Sequence, residues 1–201
     1  MFHHITDDYV DTELSCVCGT EVFSRFIKEK LEEGYSFVTI EKAFYLLRSN
    51  NPSKFIVLTF DDIPETVFTN AYPVLKEFSI PFIVFVSPGL INTPGYVTDQ
   101  ELRIMGDDCL CTIGAHTMTH PFLRKCKNSF EEIINSKEYL ETLIKREVRY
   151  FAYPYGKTSS VSWRNICEAK RAGFRYSFGT INSPITSISS LFKYYLPRKT
   201  I

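Results

Sequence analysis

Two short stretches of the chain carry side chains that could hold a metal ion and move a proton. Asp61 and Asp62 stand side by side directly after an apolar run, and His116 and His120 are four positions apart. Two neutral imidazoles and one carboxylate give a metal three protein ligands and leave positions open for water and substrate, the pattern of a catalytic site. A second aspartate beside the metal can then take a proton from water whose pKa the ion lowers.

Each of these residues also has a simpler explanation when it is taken alone. One aspartate after a strand is a favourable helix cap, but a cap does not account for two adjacent carboxylates. A single histidine is more often structural than a ligand, and two histidines four apart could share one helical face. Pro121 follows His120, however, and disfavours helical backbone there. The pattern therefore predicts that His120 lies in a loop and that Asp62, His116 and His120 converge on one metal ion.

The fold that must position these residues is predicted by the hydrophobic pattern. Continuous apolar runs, rich in β-branched and aromatic residues, are typical of strands buried on both faces, as in parallel sheets. Such runs cover residues 55–60, 81–86, 111–114, 148–152 and 174–178. The aspartate pair and the histidine pair each follow one of them, and Gly114, just before the histidines, suits a turn or a close approach of the backbone.

Amphipathic stretches with helix-start signals lie between the apolar runs. Thr98 and Ser129 each open a pattern typical of a capping box, and Pro73 is expected to kink one helix. The helical stretches are residues 21–33, 64–78 and 160–172, with two more starting at the capping patterns. Alternating strands and helices predict an α/β fold with parallel strands, either closed into a barrel or doubly wound. Functional loops then gather at the carboxyl ends of the strands.

Length and composition set limits on the class of protein. A chain of 201 residues suits a single domain spanning 1–201. Lysine plus arginine equals aspartate plus glutamate at 23 each, so nucleic acid is not an expected partner. No apolar run is long enough for a transmembrane segment. The first eight residues show no secretory signal, so a cytoplasmic location is expected.

The six cysteines suggest a reducing compartment and leave one alternative metal site open. Cys16 and Cys18 form one Cys-x-Cys pair, and Cys109 and Cys111 form another. Together they could supply four thiolates to a zinc ion, although structural zinc motifs normally separate paired thiolates by two to four residues.

Three stretches together resemble the polysaccharide deacetylase family, the NodB-like esterases of carbohydrate esterase family 4. Residues 59–62 (Thr-Phe-Asp-Asp) resemble the first family motif, and residues 116–121 (His-Thr-Met-Thr-His-Pro) match the second. Residues 151–156 (Phe-Ala-Tyr-Pro-Tyr-Gly) resemble the third motif. The resemblance runs from about Phe2 to Arg198. It implies the family's fold, a distorted (β/α)7-type barrel with parallel strands.

The resemblance also implies a role for each motif residue. Asp61 would be the catalytic base, while Asp62, His116 and His120 would bind one divalent metal ion. Zinc suits this donor set best, and cobalt, manganese, nickel or iron can also occupy it. The backbone amide of Tyr155 would stabilise the oxyanion that forms during hydrolysis.

Three departures from the family pattern affect these expectations. Ile63 stands where the first motif usually continues with glycine, which predicts a stiffer loop. Ala152 replaces the arginine that commonly opens the third motif, and Arg198 is expected to supply a guanidinium instead. The late Leu-x-His element that provides the general acid is missing, because the chain has no histidine after its second motif. The remaining candidates are His3 and His4, in a short apolar stretch, residues 2–5, that resembles the first barrel strand of the family. His3 aligns better with the histidine that related sequences carry there.

The resulting prediction is a metal-dependent hydrolase that removes acetyl groups, N-acetyl first among them, from an acetylated sugar or polysaccharide. The lost acid and arginine keep open a second hypothesis, a metal-containing carbohydrate-binding homologue with weak catalysis. A non-haem iron oxygenase shares the ligand set. Its sites normally pair His-x-Asp/Glu inside an all-β jelly roll, which does not fit the alternating pattern of this chain.

Overall fold

The computed structural model describes residues 1–8, 17–49, 53–186 and 189–200. The strands in this part of the chain are His4–Ile5 (β1), Val17–Cys18 (β2), Ser36–Phe37 (β3), Phe55–Ile56 (β4), Leu58–Asp61 (β5), Phe82–Val86 (β6), Cys111–Ala115 (β7), Tyr150–Ala152 (β8) and Tyr176–Phe178 (β9). The α-helices are Thr20–Glu32 (α1), Ile40–Arg48 (α2), Tyr72–Glu77 (α3), Asp99–Asp107 (α4), Ser129–Ile144 (α5) and Trp163–Arg171 (α6). None of the described helices is long and apolar enough to cross a membrane.

Strand pairing follows the order of the chain. β1 pairs with β2 and β3 pairs with β4, both in parallel. A five-stranded sheet runs in the order β5 to β9. Its last three strands are parallel, with Ala115 opposite Phe151 and Phe151 opposite Ser177. Strands joined by helices in this order confirm the predicted α/β fold with parallel strands.

The chain divides into two compact units, residues 1–84 with 92–112 and residues 85–91 with 113–201. The expectation of one domain over 1–201 stays a prediction. The core of the first unit is built around Phe2, whose ring lies 5.2 Å from Phe23 and 5.8 Å from Phe60. The Phe2 N–H donates to Thr59, and the Asp61 N–H donates to the Phe2 carbonyl. These two bonds align the start of the chain with β5.

Two expectations in the first unit need correction. Residues 2–5 do not form one strand: Phe2 makes an isolated bridge to Phe60, residue 3 lies in a bend, and only His4–Ile5 pairs as β1. The predicted helix 64–78 is interrupted by a π-helical turn, Val67–Ala71, before α3 begins. Pro73 lies in the first turn of α3. Because proline has no N–H to donate to the preceding turn, the α-helical bonding pattern cannot continue through it.

The second unit contains β8, β9, α5 and α6, and in it α5 contacts α6. Gly114 lies inside β7, so of the two uses expected for this glycine the turn was wrong. A Cβ atom there would lie 2.6 Å from the Phe85 ring and 3.2 Å from the Tyr150 carbonyl. Glycine is therefore required because it makes room for an aromatic ring. Phe85 in turn lies 5.5 Å from Phe178 in the core of this unit.

Helix starts were predicted with mixed success. The capping box at Thr98 is confirmed, because its side chain accepts from the Glu101 N–H and Glu101 accepts in return. The box predicted at Ser129 is wrong: that hydroxyl donates to Glu168 on α6 at 2.7 Å. A capping box that the sequence analysis missed opens α6, where Ser162 and Asn165 bond to each other's backbone.

Candidate active site

The aspartate pair lies in an unusual turn at the carboxyl end of β5. Asp61 is the last residue of the strand and is buried. Asp62 and Ile63 follow with φ angles of 64° and 55°, in the left-handed region that side chains other than glycine seldom adopt. Ile63 is completely buried, and its carbonyl accepts from the Val97 N–H. A β-branched residue thus occupies backbone that suits glycine, the residue expected there.

His3 lies beside this turn. Its Nε2 atom is 3.8 Å from the Oδ2 atom of Asp62, and the imidazole is largely buried. The His3 Nδ1 atom is buried and has no hydrogen-bond partner among the described residues. Burial, followed by the charge of His3, lowers the pKa of neighbouring His4. The His3 ring therefore lies within ion-pair distance of Asp62.

His116 follows directly after β7 and is held by three hydrogen bonds. Its N–H donates to Val86 at 2.9 Å, and its carbonyl accepts from the Ser87 hydroxyl at 2.7 Å. Its Nδ1 atom lies 2.7 Å from the carbonyl oxygen of Ala152. A carbonyl can only accept, so Nδ1 carries the proton and Nε2 is the ring nitrogen that can bind a metal.

His120 lies in a loop, as predicted, but its backbone is left-handed and not extended, with φ of 57°. Its N–H donates to the Thr117 hydroxyl at 3.1 Å. Glu132 on α5 holds the residues between the two histidines: its carboxylate accepts from the Thr119 N–H at 2.8 Å and from the Thr119 hydroxyl at 2.9 Å. Its carbonyl accepts from the Met118 N–H. Loop geometry therefore depends on a residue outside the motif.

Asp62, His116 and His120 form a group that can hold a metal ion. One ligand atom from each residue lies within 4.8 Å of the other two, and no second group of this kind occurs among the residues described. Zinc ligands of these types lie about 2.0–2.2 Å from the ion, which is the distance to test once a metal is bound. The two-imidazole, one-carboxylate donor set and the fixed tautomer of His116 fit a divalent ion. Cys16, part of the alternative thiolate site, lies outside the described residues.

The third motif forms a second left-handed turn, at Tyr155 and Gly156, with φ angles of 60° and 59°. The Tyr155 ring is 45% exposed and lies 4.9 Å from the His120 ring. Tyr153, considered above only as part of the motif, is completely buried and donates its hydroxyl to the Tyr194 carbonyl. Tyr155, and not Tyr153, is therefore the aromatic side chain of this motif that a ligand can reach.

Arg198 lies buried in the second unit. Its Nε atom donates to the Gly179 carbonyl at 3.0 Å, and the guanidinium carbon lies 5.2 Å from the Phe85 ring centre. The expected role of Arg198, to replace the arginine of the third motif and orient Asp61, stays a prediction.

Sequence reasoning missed two residues that position the histidines, Ser87 and Glu132. Glu132 belongs to the capping pattern predicted at Ser129, and that pattern gives no sign of its bonds to Thr119. Ser87 carried no signal, because a lone serine after a strand is common.

The sequence matches a known protein family. The sequence profile described as "Polysaccharide deacetylase" matches residues 48–177. A poly-beta-1,6-N-acetyl-D-glucosamine N-deacetylase of Staphylococcus aureus is 27% identical over 192 aligned residues, covering 88% of this chain and 64% of that protein. The corresponding protein of Staphylococcus epidermidis is 25% identical, covering 81% and 60%. The chain thus spans somewhat less than two thirds of the length of these relatives.

Solved structures confirm the predicted fold class. A polysaccharide deacetylase from Bacillus cereus superposes with a TM-score of 0.85 at 24% identity, over 98% of this chain and 62% of that one. A Streptococcus pyogenes deacetylase in complex with acetate gives a TM-score of 0.86 at 22% identity, over 100% and 89%. The profile covers well over half of the chain and includes all the residues of the candidate metal site. The chain belongs to the polysaccharide deacetylase family.

Proposed function

We propose that the protein is a metal-dependent hydrolase that removes N-acetyl groups from an acetylated sugar or polysaccharide. The observation that carries the proposal is the grouping of Asp62, His116 and His120 within 4.8 Å, next in sequence to the buried Asp61, in a member of this family. Three protein ligands leave room for water and substrate, as catalytic metal sites require.

Asp62, His116 and His120 would hold the ion, with zinc the first candidate. When bound, the ion would polarise the acetyl carbonyl and lower the pKa of the attacking water. The His116 imidazole is prepared for this role, because its bond to the Ala152 carbonyl fixes the tautomer and the ring orientation.

Asp61 would act as the base. Its backbone is fixed at the end of β5 by the bond from its N–H to the Phe2 carbonyl, and its side chain is buried. A carboxylate held in this way can take a proton from the attacking water without a large rearrangement. Arg198 would orient this carboxylate, in the place of the arginine that the third motif lacks.

The Tyr155 N–H would donate to the oxyanion that develops on the acetyl group. Within the part of the chain that the structure describes, this N–H makes no hydrogen bond, whereas the next one, at Gly156, donates to the Pro154 carbonyl at 2.7 Å. A fixed donor that makes no hydrogen bond to any described residue suits a charge that appears only in the transition state.

His3 would protonate the departing sugar nitrogen. Its ring lies 3.8 Å from Asp62, so it belongs to the same neighbourhood as the proposed metal ligand. An amine leaves only when it is protonated, and a histidine can carry that proton near neutral pH.

The substrate class is proposed from the named relatives. The staphylococcal proteins are named for poly-beta-1,6-N-acetyl-D-glucosamine, and we propose a polymer of N-acetylglucosamine as the first substrate to test. The exposed Tyr155 ring beside His120 offers a surface on which a sugar ring can stack.

The test is acetate release from a panel of acetylated glycans, before and after EDTA treatment and metal reconstitution. Wild-type protein should release acetate, lose this activity in EDTA and regain it with a divalent ion. Asp61→Asn should lose activity while metal content stays near normal, because the amide cannot accept the proton but need not disturb the ligands.

One observation favours the second candidate, a metal-containing carbohydrate-binding homologue. Residues 121–201 contain no histidine, so this stretch does not supply the family's late general acid. Glycan binding without acetate release from any substrate, in metal-loaded wild-type protein, would establish this candidate and refute the hydrolase.

A further inference from the structure

The turn that carries the proposed oxyanion donor needs outside support. Tyr155 and Gly156 are consecutive left-handed residues, and a residue other than glycine pays about 1–2 kcal/mol for that conformation. The direction of the Tyr155 N–H depends on these backbone angles. If the turn relaxes, the N–H no longer points where the oxyanion forms.

Two hydroxyl groups bond to the carbonyls of this turn. The Thr180 hydroxyl donates to the Tyr155 carbonyl at 2.8 Å, and the Tyr195 hydroxyl donates to the Gly156 carbonyl at 2.7 Å. The Thr180 N–H also donates to the Gly156 carbonyl, at 2.9 Å. Three donors from the chain beyond β9 therefore fix both peptide groups that follow the Tyr155 N–H.

The packing around these bonds leaves no room for adjustment. A Cβ atom on Gly156 would lie 2.6 Å from the Thr180 methyl group and 2.8 Å from the Thr180 nitrogen. A Cβ atom on Gly179 would lie 2.7 Å from the Tyr195 ring and 2.9 Å from the Gly156 carbonyl oxygen. Burial raises the pKa of Tyr195, so its hydroxyl remains a donor. Gly156 and Gly179 thus allow the two segments to approach closely, and the hydroxyls of Thr180 and Tyr195 then hydrogen-bond across this contact.

We propose that Thr180 and Tyr195 are positioning residues for hydrolysis, whose hydroxyls hold the Tyr155–Gly156 turn so that the Tyr155 N–H is aimed at the oxyanion. Neither residue belongs to a motif that marks the family in this sequence. The inference rests on the proposed function, because it assigns a role to the same site.

The experiment compares Thr180→Val with Thr180→Ser. Valine keeps the shape of threonine and removes the hydroxyl, whereas serine keeps the hydroxyl and removes the methyl group. Loss of a whole oxyanion donor costs about 10²–10³-fold in kcat. Loss of one of the three bonds that orient the donor should cost less, roughly 10-fold in kcat, with KM within about twofold. Thr180→Ser should retain near wild-type kcat.

Tyr195→Phe provides an independent variant, since it removes a single oxygen atom and should also lower kcat about 10-fold with little change in KM. If Thr180→Val fails to fold, Tyr195→Phe carries the test. Thr69→Val is a matched control, because its hydroxyl bonds to the Glu65 carbonyl in an exposed helical turn. Its kcat should equal that of wild type.

The outcomes separate this inference from the proposed function. Thr180→Val and Tyr195→Phe with wild-type kcat, in a protein that Asp61→Asn inactivates, would overturn the positioning role and leave the hydrolase intact. A raised KM with unchanged kcat would overturn it as well. A wild-type protein that releases no acetate from any acetylated glycan would overturn the function and the inference together.

Discussion

Ile63 gives an unusual stability prediction, in which glycine is better than alanine at a buried position. Ile63 has a φ of 55° and no exposed surface. Truncating a buried isoleucine to alanine costs about 2–5 kcal/mol, and an alanine here would keep the left-handed strain. Glycine loses the same side chain but adopts this conformation freely. We therefore expect both variants to be less stable than wild type, with Ile63→Gly the more stable of the two.

The size of the difference follows from the backbone. Left-handed backbone costs a residue with a Cβ atom about 1–2 kcal/mol, and glycine avoids this cost. The extra conformational freedom of glycine in the unfolded chain offsets roughly 0.5–1 kcal/mol of that advantage. The net advantage of glycine over alanine at position 63 is then about 0.5–1 kcal/mol. For a protein of this size this corresponds to roughly 1–4 °C in Tm.

The matched control is Ile83, which is also buried but lies in the regular strand β6. At that position glycine should be less stable than alanine by about 0.5–1 kcal/mol. The assay is thermal unfolding of the four variants and wild type in one buffer, followed by circular dichroism. If Ile63→Ala is as stable as Ile63→Gly or more so, the left-handed strain assigned to Ile63 is wrong.

Three further predictions concern the general acid, the histidine loop and the hydrogen bond between Tyr72 and Asp108. His3→Ala should lower the turnover of N-acetyl glycans about 10²–10⁴-fold and the turnover of aryl acetates much less. His4→Ala, the control, should lower neither selectively. Equal losses on both substrates would assign His3 a structural role. Glu132→Ala should weaken zinc binding about 10–100-fold, because the Glu132 carboxylate anchors the backbone between the two histidines. Calorimetry measures this zinc affinity, and an unchanged affinity would contradict the anchoring role. The hydrogen bond from the Tyr72 hydroxyl lowers the pKa of the Asp108 carboxyl group. This bond therefore stabilises the fold fully at pH values above the ordinary aspartate pKa. The stabilisation is lost as the pH falls through the lowered pKa of Asp108. Asp108→Asn should therefore lower Tm at pH 7 and have little effect near pH 2, and an equal effect at both would refute the assignment.

Much of the fold could be predicted because each strand or helix has a hydrophobic pattern in its own stretch of the sequence. The run 81–86 is β6 within one residue, and the run 111–114 is β7 within one residue. The predicted strand boundaries were wrong where the chain bends without a change in amino-acid composition. The run 55–60 reads as one strand, yet it contains β4 and β5, which belong to different sheets. Helix α2, Ile40–Arg48, was not predicted at all.

The metal-ligand candidates could also be chosen from sequence, since their chemistry belongs to the residue types. Few side chains other than carboxylate, imidazole and thiolate bind such ions, so the order and spacing of Asp62, His116 and His120 carry information. The same holds for family membership, which the profile confirms. The roles assigned to Asp61, His3, Tyr155 and Arg198 stay predictions that the experiments above test.

The support for these residues was decided by tertiary structure alone. The Ala152 carbonyl fixes the His116 tautomer, and the Gly156 carbonyl receives the Tyr195 hydroxyl. Every residue has a backbone carbonyl, so the residue type does not predict which carbonyl will accept such a bond. The 3.8 Å distance between the His3 ring and Asp62 is likewise a result of folding, whereas the role of His3 stays a prediction. Sequence determined which groups can do chemistry, whereas folding decided where each one points, because orientation comes from contacts between residues far apart in the chain.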